Sequence, residues 1–280
     1  MGDHATGTLV LVGTPIGNLG DLSPRAVEAL RDADVIACED TRRTRKLLTH
    51  AGVPAPHLVA VHDHNEAAQV RRLLARLDAG ARVAMVSDAG MPGIADPGER
   101  LVRAATGAGH RVEVVPGPSA AVAALVVSGL PSGRFCFEGF LPRKGSGREE
   151  RLRAVAAERR TTVLYEAPHR VRRTIADLLE ACGPDRPVTI ARELTKAFEE
   201  TWRGTLAGAA LHLGESEPRG EYVLVLGGAG PPEATTEDDV ELALRRHLDA
   251  GGTKRDAAAS VATELGIPKR RAYEIVTRLG

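Results

Sequence analysis

Residues 9–21 read LVLVGTPIGNLGD, four aliphatic residues running into a turn that holds Gly13, Pro15, Gly17 and Gly20. Ser23 and Pro24 follow, a helix N-cap residue with proline at the first helical position, ahead of the amphipathic run RAVEALR. A short apolar strand, a glycine-rich corner and a helix make the opening unit of a parallel α/β sheet. The corner itself is no nucleotide signature. Its glycines do not fall as GxGxxG, and no lysine follows them as GxxxxGK[ST] requires. Taken alone, it reads as a tight strand-to-helix turn.

The same alternation continues downstream. TLVLV at 8, DVIACED at 34, HLVAVHD at 57, RVAMVSD at 82 and RVEVVPG at 111 are strand-like, and segments with helical spacing lie between them, one of them stopping at Gly80. A turn-rich break, PSGR near residue 131, marks a domain boundary. A second strand set follows in FCFEGFLP, TTVLYEAP, PVTIARE, ETWRGTLAGAAL and GEYVLVLGG, with an antiparallel pair toward its end. The spacing thus predicts an N-terminal α/β domain over 1–130, a second α/β domain over 131–230, and a linker with a helical appendage over 231–280. The appendage carries Lys254, Arg255, Lys269, Arg270 and Arg271 on two helices joined around residues 266–268, the outline of a helix-turn-helix. It reads equally as an RNA-binding module and as a packing or dimerisation element.

Composition excludes several classes. The chain has 280 residues with 37 basic and 37 acidic side chains, so any nucleic-acid contact has to use local basic patches. Three scattered cysteines without CxxC spacing exclude a disulfide framework and predict a reducing, cytoplasmic setting. No run is apolar enough to span a bilayer. His62 and His64 could face one side and ligate a metal with Asp63, but the other histidines are scattered singly, and no metal is expected.

Every strand end in the first half carries glycine, proline or a small polar residue, and ligands bind at the carboxyl ends of such sheets. SDAGMPGIADPG, residues 87–98, places Asp88, Gly90, Pro92, Gly93, Pro97 and Gly98 straight after a strand, which describes a rigid, closely approached backbone wall. VPGPSAA, residues 115–121, is of the same kind, with Ser119 in position to cap a helix.

Together with CEDTRRTRKLL, HNE, GFLPRKG, YEAPHR and ARELTKAFEE, these loops resemble the tetrapyrrole methylase superfamily, and within it the branch acting on small-subunit ribosomal RNA. The similarity spans residues 7–228. It implies a class III methyltransferase fold, two α/β domains with S-adenosylmethionine in the cleft between them and a small helical C-terminal tail. By that resemblance Pro15, Asp88, Ala89, Gly90, Met91, Ile94, Ser119, Ala120, Tyr165, Leu194 and Gly220 line the cofactor. The implied reaction is methyl transfer to the ribose 2′-hydroxyl of a cytidine in the decoding region of 16S ribosomal RNA, by a homodimer. A tetrapyrrole or other small-molecule substrate, and a ribosome binder without activity, are the competing readings.

A hydroxyl is a poor nucleophile at neutral pH, so a general base would assist it. Glu39, Asp40, His64, Glu66, Glu166, His169, Glu193 and Lys196 form the candidate group, and the sequence does not choose among them. Acidic residues at strand ends also commonly cap helices or pair with arginines. Arg42, Arg43, Arg45, Lys46, Arg143, Lys144 and Arg148 are the candidate phosphate contacts. The scarcity of aromatic residues argues against a single-strand stacking platform and for recognition of a shaped RNA.

Overall fold

A computed structural model describes residues 7–54, 57–62, 65–215, 217–230 and 236–279. The first sheet is formed by β1 (Thr8–Val12), β2 (Val35–Cys38), β3 (His57–Ala60), β4 (Arg82–Met85) and β5 (Arg111–Val115) in the order β3-β2-β4-β1-β5, all parallel. Helices α1 (Pro24–Arg31) and α2 (Thr41–His50) cover one face through Ala26, Leu30 and Leu48. Helices α3 (Glu66–Asp78) and α4 (Glu99–Gly107) cover the other through Leu73, Leu77 and Leu101. Burial on both faces explains why these strands read as continuous aliphatic runs. Ser23 caps α1 by accepting the Ala26 N–H, the role its sequence position predicts.

The strand order decides where the loops meet. Strand β1 lies between β4 and β5, so the turns after these three strands emerge side by side at one sheet edge. Segments 13–18, 86–98 and 116–119, more than a hundred residues apart at the extremes, therefore become neighbours.

The second sheet runs β6-β7-β10-β8-β9, from β6 (Phe135–Phe140), β7 (Thr161–Glu166), β8 (Pro187–Arg192), β9 (Glu200–Thr205) and β10 (Tyr222–Leu226). Only β6 and β7 pair in parallel; β10 is antiparallel to both neighbours, and β8 to β9. Antiparallel pairing thus extends further than the single pair predicted. Helices α6 (Ser146–Ala157), α7 (Pro168–Cys182) and α8 (Leu206–Gly214) pack one face through Val155, Val171, Ile175 and Leu213.

The opposite face is covered by α5 (Ala120–Ser128), whose Ala121, Ala124 and Leu125 pack with Val163, Ala191, Val223 and Val225. The break at residue 131 follows α5 in the chain, yet the helix contributes its core contacts to the second sheet. Its composition, AAVAALVVS, is apolar all round and gave no sign of which sheet it would cover.

Residues 229–280 form a separate compact unit. Its helices α9 (Glu237–Asp249), α10 (Lys254–Glu264) and α11 (Lys269–Arg278) enclose their own core of Val240, Leu244, Val261, Ile275 and Val276. Thr236 and Asp239 make a reciprocal capping box at the start of α9. The α10–α11 pair is the helix-turn-helix outline, and Lys254, Arg255, Lys269 and Arg270 are exposed on it.

Candidate functional site

The neighbouring loops are locked to one another by backbone contact. Thr14 N–H donates to the Gly90 carbonyl at 2.9 Å and Gly90 N–H returns a bond to Thr14 at 3.1 Å. The Thr14 hydroxyl also reaches the Ser87 carbonyl at 3.2 Å. Gly13 and Gly117 press back to back, so close that a Cβ on Gly13 would stand 2.5 Å from the Gly117 nitrogen. A real Cβ never sits there. Glycine at these positions is a packing requirement, since only bare backbone lets the first and third loops touch.

Between these loops and the second sheet lies a cavity of about 420 Å³. The first sheet contributes Ile16, Glu39, Arg43, Asp88, Ala89, Gly90, Met91, Ile94, Ala95 and Asp96, followed by Ser119 and Ala120 from the start of α5. Phe140, Tyr165, Glu166, Ala191, Leu194, Glu221 and Tyr222 come from the second. Tyr165 is held edge-on by Phe137 and Phe140, with ring centroids 5.0 and 5.7 Å away. Its hydroxyl accepts the Ala121 N–H at 3.2 Å. Tyr165 thereby takes the N-terminal capping role predicted for Ser119, whose side chain makes no capping bond.

A second cavity of about 300 Å³ adjoins the first, sharing Ile16, Arg43, Asp88, Ala89 and Glu221. It adds Pro15, Gly17, Lys46 and Lys196, so its lining is more basic. The Gly17 turn docks on the second sheet's loop: Asn18 N–H donates to the Thr195 hydroxyl at 3.1 Å, and a Cβ on Gly17 would meet Lys196 Cγ at 2.4 Å.

Of the eleven residues expected around the cofactor, Asp88, Ala89, Gly90, Met91, Ile94, Ser119, Ala120, Tyr165 and Leu194 line the larger cavity. Pro15 lines only the adjoining one, and Gly220 lines neither. Gly220 instead backs the Glu193 side chain, where a Cβ would come within 2.5 Å of Glu193 Cγ.

The candidate bases divide sharply. Asp40 caps α2 and grips Arg42 at 2.9 Å; the Arg42 guanidinium and N–H hold its carboxyl down at about 2. Glu66 is buried away from the cavity lining, bonded to Gly98 N–H at 3.4 Å and to Arg100 at 3.2 Å, and acts as a clamp on the 87–98 loop. Glu166 reaches the cavity wall, but its oxygens take bonds from the Thr174 hydroxyl at 2.6 Å, Ala167 N–H at 2.9 Å and Arg170 at 3.2 Å. Glu193 and Lys196 pair with each other at 2.8 Å, and Lys196 also pairs with Glu221 at 2.9 Å. Burial would raise Glu193, but the bonds from Lys196 and the Glu221 N–H outweigh it and lower its pKa. His169 is exposed and outside the cavity lining. His64 and Asp63 lie outside the described residues. Glu39 lines the cavity.

Arg148 is a correction among the phosphate contacts. Its guanidinium is 4 % exposed and bonded to Asp177, the Pro142 carbonyl and the Thr174 hydroxyl. It braces α6 against α7, where no phosphate reaches it. Arg42, Arg43, Arg45, Lys46, Arg143 and Lys144 are exposed as a phosphate contact requires, with Arg42 paired to Asp40 and Arg43 3.4 Å from Asp88.

Several cavity residues escaped the sequence reading, Phe140, Glu221 and Asp96 among them. Asp96 sits in the 87–98 loop after Ala95, which adopts a left-handed φ of 63°. Burial first, then the charge of Glu39, pushes the Asp96 carboxyl up to about 7 against a bond from Ser87. Asp88 is raised too, by burial, although the Asp40 N–H and Arg43 oppose the shift. A strained non-glycine residue beside a half-buried carboxyl is a recognisable mark of a functional site, but only the folded loop displays it.

The chain belongs to the tetrapyrrole (corrin/porphyrin) methylases, whose family pattern matches residues 8–210. Among its relatives, a protein of Synechocystis named ribosomal RNA small subunit methyltransferase I is 46% identical over 275 residues, covering 98% of both chains. The protein of the same name from Escherichia coli O157:H7 is 45% identical and covers 97% of this chain and 95% of its own. Among solved structures, a uroporphyrin-III C-methyltransferase of Thermus thermophilus matches with a TM-score of 0.57 and 27% identity, over 79% of this chain and 94% of its own. A structure of the Thermus thermophilus enzyme complexed with S-adenosyl homocysteine shares the fold, at 23% identity and a TM-score of 0.57.

Proposed function

We propose that the protein transfers a methyl group from S-adenosylmethionine to the ribose 2′-hydroxyl of a cytidine in small-subunit ribosomal RNA. The observation that carries this reading is the pair of adjoining cavities: an acidic one walled by locked backbone, and a smaller one lined by Arg43, Lys46 and Lys196. A positively charged cofactor suits the first and a phosphate-bearing strand the second. The near-full-length similarity to proteins named for action on small-subunit RNA supports the choice of substrate.

The residues fit the cofactor. The Asp88–Met91 segment and the Ser119–Ala120 turn offer backbone groups, and Phe140 and Tyr165 offer aromatic surface. When bound, S-adenosylmethionine supplies an electrophilic methyl group on a sulfonium, which retains the C–S electron pair as the hydroxyl oxygen takes the methyl. The protein's part is to orient the ribose, exclude water and accept the hydroxyl proton. Among the described candidate bases Glu39 and Glu166 line this cavity, and that last role is assigned to this pair of carboxyls. Arg43, Arg45, Lys46, Arg143 and Lys144 position the RNA, and the helix-turn-helix unit with Lys254, Arg255 and Lys269 adds a separate basic surface.

The working form is a homodimer in the cytoplasm. Val122, Val126 and Val127 on α5 and Val114 on the edge strand β5 are exposed, Val126 by 70 %, an apolar surface suited to a second copy. Val126→Glu is expected to turn a dimer into a monomer in light-scattering measurements. No helix among the described residues is long and apolar enough to cross a membrane.

Incubation with methyl-labelled S-adenosylmethionine and small subunits lacking the modification tests the proposal, with uroporphyrinogen III as a parallel acceptor. Label on a cytidine ribose is the expected result. Label on the tetrapyrrole alone, or on a base, would refute it.

A further inference from the structure

The larger cavity is electrostatically one-sided. Glu39, Asp88, Asp96, Glu166 and Glu221 line it, against Arg43 as the one basic lining residue among those described. Four of these carboxylates have partners. Asp88 accepts the Asp40 N–H at 3.1 Å and lies 3.4 Å from Arg43; Glu221 is paired with Lys196; Glu166 is enclosed by its three bonds; Glu39 is also engaged. Asp96 differs. It has the Ser87 hydroxyl, but among the described residues no Lys, Arg or His side chain stands within ion-pairing distance of it.

Its position is enforced from both sides. Ala95 is held in the left-handed region, Gly93 N–H bonds to the Pro97 carbonyl at 3.1 Å, and Glu66 clamps Gly98 and Arg100. Gly98 approaches Gly93 so closely that a Cβ would lie 3.1 Å from its nitrogen. The loop therefore cannot easily turn Asp96 out to solvent. It holds a carboxyl against Glu39, Asp88 and Glu221, with Tyr165 from the facing sheet, and burial first, then that company, lifts its pKa to about 7. A carboxyl kept in such company without a cation is costly unless a ligand brings the charge.

S-adenosylmethionine is such a ligand. Its amino and carboxylate groups cancel, leaving one net positive charge on sulfur, and the thioether product has none. We propose that Asp96 is the residue by which the cavity distinguishes the charged methyl donor from its neutral product, holding the first and releasing the second. This rests on the methyl-donor reading of the cavity. Loss of the sulfonium charge on transfer then removes the counter-charge of Asp96 and favours product exit.

Calorimetry on the full chain with S-adenosylmethionine and S-adenosylhomocysteine at pH 6 and pH 8 tests it. Donor binding should tighten about tenfold from pH 6 to pH 8 as Asp96 ionises, while product binding changes little. Donor binding near pH 7 should also release a proton, seen as a buffer-dependent heat. Asp96→Asn should abolish the pH dependence and most of the preference for donor, and bind product within about twofold of the parent. Equal weakening of both ligands by Asp96→Asn, or a donor preference independent of pH in the unaltered protein, would overturn the assignment. Binding of neither compound by the unaltered protein would overturn the methyl-donor reading as well. The pH and proton-release measurements need no variant, so they decide the matter even if Asp96→Asn folds poorly.

Discussion

Gly13→Ala probes the contact that joins the first and third loops. The new Cβ would lie 2.5 and 2.6 Å from the Gly117 nitrogen and Cα and 2.8 Å from Met91 Sδ. Ordinary contacts need about 3.5–4.0 Å, so the shortfall is about 1 Å, and the obstructing Gly117 atoms are backbone that cannot rotate away. Gly13 is also tethered in the opposite sense, by its N–H to the Val115 carbonyl at 2.9 Å. Relief therefore requires the loops to separate. Overpacking of this kind costs about 1–3 kcal/mol, which in a body of this size lowers Tm by about 2–4 °C per kcal/mol. The functional loss should be larger in proportion, because Ile16, Met91, Ser119 and Ala120 line the cavity on the displaced loops. A 1 Å misplacement is worth about 100-fold in rate. Methyl transfer and a thermal melt, with Gly133→Ala as control, provide the assay: Gly133 has nothing within 4 Å and an ordinary φ. If Gly13→Ala keeps activity within twofold while losing the stated stability, the loop contact does not shape the cavity and the reasoning fails.

Stability should respond to Asp96 with a definite sign. Its carboxyl keeps a proton to about pH 7 when folded and loses it near 3.8 when unfolded, so stability declines as pH rises between those values and the penalty is complete above 7. The full displacement would correspond to about 4 kcal/mol; with the side chain half-buried and screened by water, about 2 kcal/mol is expected. Asp96→Asn should thus raise Tm at pH 8 and have little effect at pH 4, and a lowered Tm at pH 8 would contradict the burial argument. Arg148→Met removes the buried bonds to Asp177, Pro142 and Thr174, and should cost about 3 kcal/mol in denaturant melts without changing RNA affinity of the folded fraction. Replacing Arg45 and Lys46 together by alanine should reduce the salt dependence of RNA binding by about two phosphate contacts and leave cofactor affinity unchanged.

The fold was legible because each element was locally consistent. Aliphatic runs ended in glycine or proline, Ser23 and Pro24 opened α1, and Gly80, at φ 83°, follows the end of α3. The walls of the larger cavity were legible for a related reason: residues such as Gly90 and Gly93, also with positive φ, carry their conformational requirement in their identity. Side-chain roles were not. Arg148 and Lys144 look alike in LPRKGSGR, and only the folding of α6 onto α7 buries the first beside Asp177, 29 residues on. Glu66 and Glu166 stayed among the candidate bases because Gly98 and Thr174, their partners, lie on other elements. Asp96 went unnoticed for the converse reason: its character arises from burial in the folded loop and then from Glu39, Asp88 and Glu221, which come from three separate strand ends.

The central claim is that this cavity delivers a methyl group to a ribose of small-subunit RNA. Nucleoside mass spectrometry of that RNA, from cells in which the gene is deleted, restored, or restored as Gly13→Ala, tests it most directly. The account predicts that one 2′-O-methylated cytidine disappears on deletion, returns with the intact protein and does not return with the variant. An unchanged 2′-O-methylcytidine content after deletion, or loss of a base methyl group instead, would contradict it.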